Sequence, residues 1–97
     1  MSHKNKNIWQ FQKPKDFTKQ VLALPKPVRH NLTRAMTLLA ECPIPLIYGE
    51  KKITKYGVFY AMQLSSSHRL AFDILDNEKK ILRIIRVGDH RFVYGKD

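Results

Sequence analysis

Apolar and polar residues alternate most clearly between residues 65 and 94, and the pattern there predicts two strands. The first strand is made of two alternating sets, Leu70, Phe72 and Ile74 on one side and Arg69, Ala71 and Asp73 on the other. This period is typical of a strand with one face in a core, so Arg69 is expected on the opposite face. Residues 76–79 have the composition of a turn. Residues 81–87 are apolar on both faces, which favours an inner strand.

The chain must change direction after the second strand, at a segment that carries both cations and an imidazole. This segment reads Gly88-Asp89-His90-Arg91, and it falls at the open end of the predicted sheet. A short extended piece over residues 91–94 is expected to follow it. Positive side chains beside a histidine at the end of a sheet predict a place that holds a phosphate.

A short edge strand and a helix are predicted near the start of the chain. Residues 8–12 alternate between apolar and polar positions, which indicates a strand. Pro14 and then Asp16, a candidate cap, open a first helix that reaches about Leu24. Residues 1–7 offer no apolar side chain for a core apart from the first methionine, and we expect a flexible basic tail there.

A second, longer helix is predicted from Pro27 to about Glu41. Proline suits the first turn of a helix because its φ angle is already helical and its missing N–H is not needed there. The apolar positions have the spacing of one buried stripe: Val28, Leu32, Ala35, Met36 and Leu39. Pro43 and Pro45 then make the following connector non-helical.

The middle of the chain combines a basic segment with one more strand. Lys51, Lys52 and Lys55 form a predicted cationic loop, and residues 58–64 alternate as a strand does. Three serines at positions 65–67 provide the turn into the strand that begins with Arg69. The predicted order is strand, helix, helix and three strands, which is an α+β domain.

Size and charge limit the classes of function. The chain has 97 residues, enough for one domain over residues 1–97 and too few for two. Lysine and arginine together number 18 against 8 acidic residues, and the sequence pI is about 10.0. Such an excess indicates binding to nucleic acid, or to a particle rich in it such as the ribosome.

The sequence gives no support for a membrane span, a secretion signal, a disulfide or a metal site. No stretch approaches the roughly 18 apolar residues of a membrane span, and the polar N-terminus is followed by no apolar signal segment. Cys42 is the single cysteine, which excludes an internal disulfide and suits a reducing cytoplasm. The four histidines show no metal-ligand spacing, so neither a metal site nor a cofactor is predicted.

Three segments resemble the RelE/ParE superfamily of small bacterial and archaeal toxins over residues 8–94. They read LPKPVRHNLTRAMTLLAECP, YGVFYAMQLSSSHRLAFDILD and ILRIIRVGDHRFVY. The most specific part is an arginine before one apolar strand together with V-G-x-H-R-x-V-Y after the next. The resemblance implies a small twisted antiparallel sheet packed on two N-terminal helices. It also implies an antitoxin partner that wraps the toxin and silences it.

Two activities occur on this fold, so the fold alone does not decide between them. RelE-like members cut mRNA, usually in the ribosomal A site, whereas ParE-like members inhibit DNA gyrase. Gly88, His90 and Tyr94 fit the pattern G-x-H-x-x-x-aromatic of histidine-bearing nuclease members, and this favours an mRNA endoribonuclease. A third alternative is a protein that binds RNA or the ribosome and is no enzyme.

The sequence departs from RelE at the lysines that precede the catalytic arginine, because the corresponding residues 60–63 contain none. Either Lys51, Lys52 and Lys55 supply the charge from their loop, or the site is centred on the histidine and lined by Gln63 and His68. We prefer the second version.

RNA can be cut without metal when its own 2′-hydroxyl attacks the adjacent phosphate. His90 is the candidate acid or base, since an unperturbed imidazole titrates near about 6.5. Arg69 is the candidate for binding the phosphate through its planar fork of donors, and Arg91 assists it. Tyr94 is expected to stack on a base or to orient the leaving oxygen.

Overall fold

The computed structural model describes residues 7–95, which form a five-stranded sheet, three α-helices and a 3₁₀ turn. In chain order the elements are β1 (Gln10–Gln12), α1 (Phe17–Leu22), α2 (Lys26–Glu41), the 3₁₀ turn (Pro45–Tyr48), β2 (Glu50–Thr54), β3 (Gly57–Gln63), β4 (His68–Asp76), β5 (Ile81–Asp89) and α3 (His90–Tyr94). The α+β class predicted from the sequence is confirmed, whereas the predicted order lacked β2 and α3. The basic tail predicted at residues 1–7 lies outside the described residues except for Asn7.

The strands lie in the order β1-β5-β4-β3-β2. Strands β2 to β5 pair antiparallel with their neighbours, as expected for a meander with short connections. Strand β1 pairs parallel with β5, which makes the sheet mixed. The two helices between β1 and β2 carry the chain across the sheet and allow this parallel pairing.

The main core lies between one face of the sheet and helices α1 and α2. Helix α2 buries the stripe predicted from its spacing, with Leu32 4% and Leu39 0% exposed. From the sheet, the alternate residues Leu70 and Phe72 meet this stripe, and both are 0% exposed. Burial of this apolar stripe is the main force that holds the helices on the sheet.

A smaller core covers the opposite face of the sheet. Phe59, Ala61 and Ala71 are buried there beneath Val93 of α3. Helix α3 therefore packs on the face of the sheet to which Phe59 and Ala61 of β3 and Ala71 of β4 point. Arg69 belongs to this face, because it lies two residues before Ala71 in the same strand.

Residues 91–94 were predicted to be extended, and this is wrong, since they belong to α3. The carboxylate of Asp89 accepts a hydrogen bond from the N–H of Phe92 at 2.8 Å and caps the helix at its start. Gly95, with φ of +67°, ends the helix in the left-handed conformation that favours glycine. The cap at Asp89 and the glycine at position 95 favour a helix more strongly than the alternation of residues 91–94 favours a strand.

Lys51 and Lys52 were predicted to lie in a loop, and this is also wrong. They belong to β2, where Lys51 is paired with Tyr60 and Lys52 with Phe59. Strand β2 holds its place through backbone pairing at the edge of the sheet, and its side chains show no apolar pattern that would have indicated a strand. Lys55 remains in the turn that follows.

Strand β5 contains one extra residue opposite β4. Ala71 is paired with Arg86 and Phe72 with Ile84, so Ile85 has no partner across the strand pair. Such a bulge places two consecutive side chains on one face of the sheet. Ile85 packs in the smaller core and Arg86 lies over the rings of Tyr56 and Phe92.

None of the helices within residues 7–95 is long and apolar enough to cross a bilayer.

Candidate active site

Helix α3 brings His90 and Tyr94 together. Residues four apart lie on one face of a helix, and the imidazole of His90 meets the ring of Tyr94 edge to face. The two ring centroids are 4.4 Å apart, with an angle of 83° between the planes. His90 is exposed and Tyr94 is half-buried. The imidazole is thus supported on one side by an aromatic ring and accessible to a ligand on the other.

Strand β2 and the following turn place positive charge against this pair. A cleft of about 370 Å³ lies between β2 and the end of α3, and its lining includes Lys52, Lys55, His90 and Tyr94. The ammonium nitrogen of Lys52 is 5.6 Å from the centroid of the Tyr94 ring. No carboxylate is among the described residues that line the cleft. The cleft therefore attracts anions.

The ring of Tyr94 is fixed from the side of the sheet. Phe59, which is 1% exposed, stacks with it at a centroid distance of 6.3 Å and an angle of 8°. Phe59 is the register partner of Lys52, so both side chains rise towards α3 at neighbouring positions. This pairing explains how a lysine of the edge strand reaches the helix.

Lys52 also has an acidic neighbour. Its ammonium lies 3.4 Å from a carboxylate oxygen of Glu50, whose side chain is 77% exposed. An exposed pair of this kind is weak and screened by salt. An incoming phosphate can therefore compete with Glu50 for Lys52.

Arg69 lies outside the lining of the cleft and beside the serine turn. Its Nη1 donates to the carbonyl oxygens of Ser65, His68 and Ser66 at 2.8, 3.0 and 3.4 Å. The side chain is half-buried, and its described hydrogen bonds use only Nη1. The guanidinium is anchored at one nitrogen, and Nε and Nη2 remain as donors.

The serine turn also holds the start of α3. The main-chain N–H of His90 donates to the carbonyl of Ser67 at 2.9 Å, and Arg69 is paired in the sheet with Gly88, two residues before His90. Arg69 and His90 thus lie on the same face of the sheet and are fastened to the same turn. The sequence hypothesis places both side chains in one hollow at a single phosphodiester. The structure gives them a common face and a common turn, but Arg69 does not line the cleft that holds His90.

The remaining candidates are not brought to the cleft. His68 lies on the face of the sheet that packs against α1 and α2, opposite α3. Its Nδ1 is 2.9 Å from the hydroxyl of Ser65, and its ring lines a cleft beside α1. Gln63 is the register partner of Arg69 and borders a groove along α2. Lys51 and Arg91 are exposed. Of the two versions weighed from sequence, the cleft matches the one with lysines better than the one lined by Gln63 and His68.

Sequence reasoning missed the contacts that attach the β2–β3 turn to α3. The guanidinium carbon of Arg86 lies 3.9 Å from the ring centroid of Tyr56 and 5.5 Å from that of Phe92. Gly95 approaches Tyr56 so closely that an added Cβ would lie 2.4 Å from the ring. The signal available in the sequence was a second arginine, three residues after Arg83, in a strand that is mostly apolar. The bulge that turns Arg86 towards α3 leaves no trace in the sequence.

The described residues include no group of three or more histidine, cysteine or acidic side chains that could hold a metal ion. The chemistry available in the cleft is that of an imidazole, two ammonium groups and a phenol. These groups can transfer a proton and stabilise a phosphate.

Neither a family model nor a curated protein matches the chain in sequence. Solved structures do match it in shape. The toxin–antitoxin complex RelBE2 from Mycobacterium tuberculosis contains a chain with 18% identity and a TM-score of 0.67, and the match covers 90% of this chain and 98% of that one.

Two structures from E. coli are similar to the same degree. A mutant of the toxin RelE in the free state has 22% identity and a TM-score of 0.67, with 94% of both chains covered. The intact RelBE toxin–antitoxin complex contains a chain with 23% identity and a TM-score of 0.64, covering 84% of this chain and 95% of that one. The chain described here therefore has the fold of the RelE toxins, as its resemblance to that family implied.

Proposed function

We propose that this protein is the toxin of a type II toxin–antitoxin pair and that it cuts mRNA without a metal ion. The observation that carries the proposal is the edge-to-face contact of His90 with Tyr94 opposite Lys52. An exposed imidazole can accept the proton of a 2′-hydroxyl, and a nearby cation can stabilise the charge that develops on the phosphate.

In the proposed reaction His90 accepts the proton of the 2′-hydroxyl. The 2′-oxygen attacks the adjacent phosphorus, and the bond to the 5′-oxygen of the next nucleotide breaks as that oxygen takes up a proton from water. His90 afterwards releases its proton to solvent. The products are a 2′,3′-cyclic phosphate and a 5′-hydroxyl. A positioned acid or base contributes roughly 10²- to 10⁴-fold to such a step.

The phosphate becomes more negative as the 2′-oxygen attacks, and three cations are available to stabilise it. Lys52 and Lys55 line the cleft directly. Arg69 offers Nε and Nη2 from a guanidinium held by the serine turn, and such preorganised donors stabilise developing charge without first having to reorganise. Arg91, exposed on α3, is proposed to contact the RNA backbone outside the cleft.

Tyr94 has a separate role in holding the substrate. One face of its ring is covered by Phe59 and its neighbour His90 meets it edge to face. We assign it to stacking on a nucleobase next to the scissile phosphate, as aromatic side chains do in many RNA sites.

The partners follow from charge and from the solved neighbours. RelBE2 and the E. coli RelBE structure are complexes of a toxin with an antitoxin, and we propose a cognate antitoxin for this chain as well. A net charge of +10 suits mRNA, ribosomal RNA and an acidic antitoxin segment. The proposed place of action is the cytoplasm, at the ribosome.

The test uses His90→Gln with His30→Gln as matched control, because His30 is an exposed histidine on α2, away from the cleft. Each form is expressed in cells, growth is followed and mRNA ends are mapped. We expect wild type and His30→Gln to cut messages, and His90→Gln to lose at least about 100-fold in cleavage rate with purified ribosomes.

Three outcomes contradict the proposal. Growth arrest with intact messages and broken DNA indicates the gyrase-directed alternative. Salt-dependent sedimentation with ribosomes without any effect on growth indicates a binding protein with no enzymatic activity. Full cleavage by His90→Gln removes the histidine from the mechanism.

A further inference from the structure

A second hollow lies on the α3 face of the sheet, beyond Tyr56 as seen from the cleft. It has a volume of about 380 Å³, and its lining includes Gln12, Tyr56, Phe59, Asp73, Arg83 and Ile85. We call it the sheet trough. It is about as large as the cleft at His90, and the candidate catalytic residues do not use it.

The floor and one wall of the sheet trough are apolar. Phe59 and Ile85 belong to the smaller core and provide the floor. Tyr56 is 48% exposed, and the guanidinium of Arg86 lies 3.9 Å from its ring centroid. Because Arg86 already holds the ring of Tyr56 in place, the side chain loses little conformational entropy when a planar group stacks on it. Nucleobases stack on such aromatic side chains in sites for single-stranded RNA.

The opposite wall carries an arginine and an aspartate. Arg83 donates to the carboxylate of Asp73 from Nε at 3.0 Å and from Nη2 at 2.8 Å. The hydrogen bond to Asp73 raises the pKa of Arg83 above its usual value, so its charge persists throughout the pH range of the protein. Asp73 is the only acid among the described residues of the lining, and it is already neutralised by Arg83.

Two aromatic residues of the sheet trough contact residues of the cleft at His90. Phe59 lines the sheet trough and stacks with Tyr94, which lines the cleft. Tyr56 lines the sheet trough and contacts Gly95 at the edge of the cleft. The two cavities thus lie next to each other on the α3 face, with Phe59 and Tyr56 between them.

We propose that the sheet trough binds the nucleotide that neighbours the cleavage point, with its base on Tyr56 and its phosphate at Arg83. This inference rests on the proposed cleavage of RNA at His90. The occupant is single-stranded RNA, because the sheet trough combines a stacking platform with two cations of its lining, Arg83 and Lys13. An acidic peptide would bind to the positive charge of Arg83 without stacking on Tyr56. Binding of such a peptide is the alternative that the test distinguishes.

The experiment measures binding without cleavage. The probe is a short fluorescein-labelled single-stranded RNA whose 2′-O-methyl groups block the attacking hydroxyl, and binding is followed by fluorescence anisotropy at low and moderate salt. Asp73→Asn removes the negative charge from the sheet trough and frees Arg83 for a phosphate. Glu78→Gln is the matched control, since it makes the same change of charge in the exposed β4–β5 turn.

We expect Asp73→Asn to bind the probe about three- to tenfold more tightly, with a steeper salt dependence, and Glu78→Gln to stay within about twofold of wild type. Tyr56→Leu keeps an apolar side chain and is expected to weaken binding about tenfold through loss of stacking. Misfolding is expected to destroy the sheet trough and so to weaken binding. The tighter binding expected of Asp73→Asn therefore tests the proposal even if Tyr56→Leu folds poorly.

The inference is overturned if Asp73→Asn and Glu78→Gln bind the probe alike or if wild type binds no probe. It is also overturned if an acidic peptide displaces the probe from wild type and from Tyr56→Leu equally well. Its failure is separate from failure of the proposed function. Cleavage that depends on His90, together with an unresponsive sheet trough, overturns only the inference. The expected binding changes without any cleavage overturn the nuclease and the placement next to a cleavage point, and leave RNA binding by the sheet trough.

Discussion

Arg69 and His90 are bound to the same serine turn. Nη1 of Arg69 donates to the carbonyl of Ser65 at 2.8 Å, and the main-chain N–H of His90 donates to the carbonyl of Ser67 at 2.9 Å. The turn therefore links the start of β4 to the start of α3 on one face of the sheet. A change in either hydrogen bond is expected to alter the position of the other residue.

Arg69 is expected to contribute to stability and to phosphate binding through different nitrogen atoms. Arg69→Ala removes the side-chain donor from the turn, while main-chain N–H groups still donate to the carbonyls of Ser65 and His68. We expect a loss of about 1 kcal/mol in the free energy of unfolding. Arg69→Lys restores most of the stability, since an ammonium can reach the same carbonyls, while RNA cleavage stays low because the planar fork is lost. Urea denaturation and a cleavage assay measure the two effects. A fully active lysine variant would contradict the proposed contact with the phosphate.

The adjacent lysines of β2 provide a matched pair. Lys52 faces α3 and lies over Tyr94, whereas Lys51 is paired with Tyr60 and lies on the other face. Lys52→Gln is expected to slow RNA cleavage about 10- to 100-fold, because a cation beside the developing charge is lost. Lys51→Gln makes the same change of net charge and is expected to retain nearly full activity. Equal losses in the two variants would show that only the overall charge matters.

Asp89 is expected to position His90 through the cap of α3. A five-residue helix is marginal by itself, and Asp89→Ala removes the side-chain acceptor for the N–H of Phe92 at a cost of about 1 kcal/mol. We expect slower cleavage, by about tenfold, because His90 begins the helix that loses its cap. Asp89→Ser keeps a capping oxygen and should recover both stability and activity. Recovery of neither would show that the carboxylate has another role.

Gly95 is expected to hold the β2–β3 turn against α3. In Gly95→Ala a Cβ would lie 2.4 Å from the ring of Tyr56, at a φ of +67°. We expect a loss of about 1–2 kcal/mol in unfolding free energy and displacement of Lys55 from the cleft, visible in a crystal structure of the variant.

Gly57→Ala is the control for this prediction, because Gly57 has a φ of +114° and nothing within 4 Å of an added Cβ. It carries backbone strain without the contact to α3. If Gly57→Ala reduces cleavage as much as Gly95→Ala does, then strain in the turn is responsible and the contact with Tyr56 is not.

The sequence was sufficient for the elements whose side chains follow a regular period. The stripe of α2 from Val28 to Leu39 and the alternation of β4 around Phe72 both report burial on one face, and both were predicted with the correct face inward. The turn after β4 was also predicted from its composition, and Asp76 accepts the N–H of Lys79 there at 2.9 Å.

The sequence by itself determined the α+β class, the two N-terminal helices and the face of Arg69, because each depends on residues close together in the chain. It did not predict the strand over residues 50–54 or the helix that brings His90 onto Tyr94. The tertiary structure alone decided that Lys52 reaches Tyr94 while Lys51, His68 and Gln63 do not. These outcomes depend on the register of β2 on β3, on the bulge at Ile85 and on which face each strand turns to α3. Register and bulges arise from backbone hydrogen bonds between distant segments, and backbone groups are the same for every residue except proline.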